Sequence, residues 1–72
     1  MGDVIEDIRT MPIAVLADVT GLHHILVLEK VRQDFIGFVQ QRQRAGHIFM
    51  RWPDAWDAYF VYAHRDAEER NH

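Results

Sequence analysis

The chain has 72 residues, 49% of them hydrophobic and 26% charged, with a formal net charge of -3 and no cysteine. That length supports one core and one domain over residues 1–72, and the absence of Cys and Ser removes disulfides, thiolate metal sites and the two commonest nucleophiles. No apolar run approaches the ~18 residues of a membrane span, and Met1-Gly2-Asp3 opens acidic rather than basic, so a cytoplasmic protein that is not an enzyme is expected.

Val4, Ile5 and Ile8 among Asp3, Glu6, Asp7 and Arg9 predict a short amphipathic helix over residues 3–10, with its charges placed to suit the helix dipole. Pro12 then opens a second helix as its first residue, Ile13, Val15, Leu16 and Val19 give it an apolar face, and Gly21 ends it. Gly21 is expected at positive φ between two helices. From Leu22 the strongest pattern follows: Val27, Leu28, Val31, Phe35, Phe38 and Val39 form one stripe of a long helix. Glu29, Lys30, Gln33, Gln40, Gln41 and Gln43 occupy its other face, and Ala45-Gly46 is the stop. Gly37 is the weak point, where the helix can end and leave Phe38–Arg42 extended. The turn Leu22–Leu28 is apolar nearly all round and is expected to be buried on most sides. His24 falls on that stripe and reads as a core histidine.

Beyond Gly46 the pattern changes. His47–Trp52 has strand-like composition, and Pro53-Asp54 opens a turn or caps a helix. Ala58–Tyr62 is aromatic and β-branched, hence strand-like, yet Trp56, Tyr59, Phe60, Ala63 and Ala67 also fit a helical stripe. Both readings stay open. Trp52 and Trp56 belong to the core if a helix starts here, and to an exposed contact surface if the segment is a hairpin tip.

The charge is unevenly placed. In residues 1–21, Asp3, Glu6, Asp7 and Asp18 face Arg9 alone, whereas in residues 22–52, Lys30, Arg32, Arg42, Arg44 and Arg51 outnumber Glu29 and Asp34. Residues 53–72 are acidic again. A basic middle can meet phosphate, and it is also what an ordinary solvated face looks like. His23, His24, His47, His64 and His72 lack the spacing and companion carboxylates of a metal site. Asp54/Asp57 and Glu68/Glu69 pair carboxylates without any phosphate loop or nucleophile beside them. Neither a metal nor a cofactor is expected.

The segment LADVTGLHHILVLEKVR places a small residue, Ala17, four before Gly21 and a β-branched residue, Val27, six after it, with apolar Leu16 and Leu22 alongside. It resembles the core of helix-turn-helix regulators of bacteria and phages. The element order resembles a winged helix. The resemblance implies a mainly α fold, a three-helix helix-turn-helix core carrying a C-terminal β-hairpin wing; an all-α small bundle is the alternative. It implies a small transcription regulator that binds duplex DNA, with Val27 anchoring the second helix on the first. His23, His24 and Arg32 would meet bases, and Lys30, Arg42, Arg44 and Arg51 would meet phosphates. Ile25, Leu28 and Glu29 also fall on that reading face, and Lys30 stands where the family usually has an apolar residue. The same scaffold could instead bind a protein of the transcription machinery or another regulator through Ile25, Leu28, Trp52 and Trp56. A domain this small without disulfides is also expected to complete its core by pairing with a second copy.

Overall fold

The computed structural model describes residues 3–70, and for 66–70 the helical backbone only. Four helices follow one another: α1 (Val4–Thr10), α2 (Ile13–Thr20), α3 (Ile25–Arg44) and α4 (Trp52–Arg70). Asp3 caps α1, its carboxylate accepting a hydrogen bond from the Ile5 amide at 3.1 Å. The helix ends because Met11 precedes a proline and is driven into extended backbone, ψ 129°. Pro12 is the N-cap of α2 rather than its first residue, and its carbonyl accepts from Val15 and Leu16.

Gly21 closes α2 in the left-handed conformation, φ 73°, its amide donating to Ala17 at 2.8 Å. Nothing lies within 4 Å of where its Cβ would stand, so the requirement for glycine is conformational and not one of space. Gly21→Val is expected to cost more than about 1 kcal/mol in chemical denaturation. An unchanged midpoint would show that the turn can be rebuilt with negative φ.

The turn is longer than the sequence indicates. α3 starts at Ile25, not Leu22, and His24 is its exposed N-cap in extended backbone, not a core histidine. The helix then runs unbroken through Gly37. Phe35, Ile36, Phe38 and Val39 are all buried around that position, and their packing outweighs the roughly 1 kcal/mol propensity cost of one glycine. Ala45 and Gly46 (φ 88°) terminate the helix where expected.

Among the described residues there is no strand, so the β-hairpin wing is absent and the all-α alternative describes the architecture. The strand-like run Ala58–Tyr62 lies within α4. A lone strand would have no ladder partner, whereas the helical stripe finds a surface on α3: Trp56 and Tyr59 pack on Phe35 at ring distances of 5.3 and 5.2 Å. Tyr59 and Tyr62 pack on Phe38. Residues 47–51 return the chain to the start of α4, with Phe49 beside Phe38. Trp52 and Trp56 are partly buried against the core, so the tip reading fails. The surroundings of Ala67, Glu68 and Glu69 lie outside the described side chains.

The larger core cluster joins Val4, Ile5 and Ile8 of α1 to Phe35, Ile36, Phe38 and Val39 of α3 and Ala55 and Tyr59 of α4. A smaller one joins Met11, Leu16 and Leu28. Val27, the anchor implied by the resemblance, is half exposed; Leu28 packs in its place. All three other helices rest on α3, but α2 and α4 make no backbone approach to each other. That arrangement leaves one arc of α3 bare and a cleft between α2 and α4.

Candidate functional site

The structure separates the expected DNA contacts into two kinds. His23 and His24 are exposed in the turn, and Lys30, Arg42, Arg44 and Arg51 are exposed further along. Arg32 is not available. It is 7% exposed, and its Nη1 donates to the carbonyls of Ile8 at 2.8 Å and Arg9 at 3.1 Å. Its Nε lies 3.3 Å from the Glu29 carboxylate. These carbonyls belong to the last turn of α1, where a helix runs short of backbone donors; only the Met11 amide, at 3.4 Å, also reaches the Ile8 carbonyl. Arg32 therefore satisfies a helix end and cannot reach a base edge. Its place between Leu28 and Phe35 on the apolar stripe was the signal for this.

Along the bare arc of α3, Lys30, Gln33, Gly37, Gln40, Gln41 and Arg44 are all exposed. At 3.6 residues per turn they share one stripe, roughly 21 Å long from Lys30 to Arg44. The two carboxylates flanking it are held aside. Glu29 is engaged by Arg32, and the Tyr59 hydroxyl donates to Asp34 at 2.6 Å. Burial, and then that bond, hold the Tyr59 phenol protonated well above the usual tyrosine range. The stripe thus presents two cations and three amides. Arg42 is turned to the α4 side, its guanidinium 5.2 Å from the centre of the Phe38 ring. Arg51 stands just before α4. Sequence reasoning treated the glutamines as a solvated face; their recurrence on one arc, with cations at both ends, was the available signal.

The expected partner-binding set does not form a surface. Leu28 is 2% exposed and belongs to the core, and Trp52 packs beside it. Ile25 is exposed, as expected for a contact residue. The turn expected to be buried is instead largely bare: Leu22, Ile25, Leu26 and Val27 are all exposed, because no helix covers that side of α3. Leu22 joins Val19, Val31, Trp56, Phe60 and Ala63 around a cleft of about 230 Å³ between α2 and α4.

Among the described residues no three potential ligands gather as a metal site, and no helix is long and apolar enough to cross a membrane. His72 lies outside the described residues. No family model, curated protein or solved structure matches the chain.

Proposed function

We propose that the protein is a small transcription regulator that lays the outward stripe of α3 against duplex DNA. The observation that carries this reading is the stripe itself: Lys30, Gln33, Gln40, Gln41 and Arg44 exposed on one arc, with both flanking carboxylates engaged elsewhere. The major groove admits an α-helix, glutamine amides match adenine, and arginine matches guanine or phosphate. Contact falls on the middle and end of the helix, because apolar Ile25 and Leu26 occupy its start. Arg42 and Arg51 extend the cationic edge toward the backbone. The Gly21 turn between α2 and α3 agrees with the helix-turn-helix resemblance.

About four phosphate contacts give a log–log salt slope near -3 to -4. The test is anisotropy with a random-sequence duplex across a salt series beginning at about 50 mM, where non-specific binding is strong. Arg42→Gln and Arg44→Gln should each flatten the slope by about one unit per lost contact. No affinity at the lowest salt would replace this reading with the second one, a protein-binding module. The apolar cleft lined by Leu22 and Phe60 favours that alternative.

A further inference from the structure

We propose that Gly37 is the point where the backbone of α3 comes closest to DNA, its missing side chain letting the helix seat deeply enough for the glutamines around it to reach base edges. This rests on the DNA reading and adds to it a residue that sets how the helix docks.

Gly37 stands in the interior of a 20-residue helix, where glycine is the poorest helix former after proline. The chain gives no internal reason for it. Its φ is not positive, since among the described residues only Gly21 and Gly46 have that conformation. A Cβ built at Gly37 meets nothing within 4 Å, so no neighbouring helix requires the gap. A special backbone angle and a tight internal contact are therefore both absent. The remaining use of a glycine is close approach of the backbone to something outside the chain.

Its neighbours on the exposed arc say what approaches. Gln33 lies four residues before Gly37, Gln40 three after and Gln41 four after, so amides surround the gap on the helix surface. Lys30 and Arg44 stand seven before and seven after, about 10.5 Å to either side along the axis. The other neighbour, Asp34, is engaged by the Tyr59 hydroxyl. A recess ringed by amides, with a cation at each end, fits a polar surface flanked by anions. A duplex groove has that form, with base edges on its floor and a phosphate backbone along each wall. A protein interface with an apolar core finds no apolar side chain at these positions.

With Gly37 over the middle of the major groove, roughly 12 Å wide, Lys30 faces one backbone and Arg44 the other. Hydrogen bonds from the amides to bases hold only over about 2.7–3.2 Å. A methyl group at the centre would stand between the helix backbone and the bases. It would lift all three glutamines together, while the long, flexible Lys30 and Arg44 side chains keep their phosphates.

The test uses two probes, a random-sequence duplex and the duplex that the wild type enriches from a randomised pool. Gly37→Ala is expected to raise the melting midpoint by roughly 4 °C or more, because alanine is the better helix former and its methyl group meets nothing in the chain. It should weaken binding to the enriched duplex roughly tenfold or more, with little change in affinity for random duplex or in salt slope. Gly37→Leu, also helix-favouring, should lose the sequence preference altogether. A gain in stability joined to a loss of recognition cannot come from damage to the fold. Gly37→Ala binding the enriched duplex as tightly as the wild type overturns the proposal. So does a Gly37→Ala chain less stable than the wild type, since the fold would then need the glycine itself. A wild type that binds duplex but enriches no sequence overturns it too, and leaves the DNA reading standing. A wild type without affinity for any duplex removes the DNA reading and this inference with it.

Discussion

Phe35→Ala is expected to cost about 3–5 kcal/mol, against a total stability of roughly 4–11 kcal/mol for a domain of this size. Phe35 is fully buried where α1, α3 and α4 meet, with Trp56 at 5.3 Å and Tyr59 at 5.2 Å. Removing its ring takes away the transfer free energy of a large side chain and leaves a cavity that three rigid helices cannot close. Thermal melting followed by circular dichroism should show a midpoint lower by at least ~15 °C. Trp56 fluorescence should report the same transition, because that indole touches the missing ring. A loss below about 2 kcal/mol would mean that the helices collapse onto the gap, and that the core is softer than its packing indicates.

The next largest effect is expected at Arg32. Arg32→Ala removes two charge-assisted hydrogen bonds at the end of α1, leaving the Ile8 carbonyl with only the long bond from the Met11 amide and the Arg9 carbonyl without its side-chain donor. The guanidinium stem also fills space beside the core, so packing is lost with the charge. About 2–4 kcal/mol is the expected cost, read from the denaturant midpoint. Arg32→Lys should recover only part of it, because an ammonium cannot reproduce the guanidinium's spread of donors toward both carbonyls and Glu29. A base-reading arginine would behave differently: its loss would blur sequence preference and leave stability unchanged. Stability of Arg32→Ala equal to wild type would therefore return the residue to the DNA-contact set.

What the sequence made legible was local. The break at Met11-Pro12, the left-handed Gly21 and the stop at Ala45-Gly46 each depend on a few neighbouring residues, and each is present. Segments whose conformation depends on distant partners were harder. The aromatic run in α4 has strand propensity by composition, but its helical stripe matches a surface supplied by Phe35 and Phe38, more than twenty residues earlier. Arg32 shows the same limit, since the carbonyls it holds lie 24 and 23 positions away. The start of α3 failed for a related reason. Apolar residues all round a helix indicate burial only when neighbours exist on every side, and here the other helices cover one arc. The candidate stripe was visible residue by residue, but only burial revealed that Arg32 leaves it and that Glu29 and Asp34 are occupied elsewhere.

α2 approaches α3 along the backbone and meets α4 only through side chains, Trp52 packing on the cluster of Met11, Leu16 and Leu28, so its hold on the rest of the molecule passes largely through one fully buried side chain, Leu16. A helix of eight residues is too short to persist in water by itself. The protein is therefore unevenly fastened: α1, α3 and α4 share the larger core, while α2 is held by the smaller one and is expected to open at a lower free energy. One wall of the cleft is a short helix bounded by Pro12 and Gly21, and the other is anchored by aromatic rings. A partner entering that space would press the less fastened wall against the anchored one.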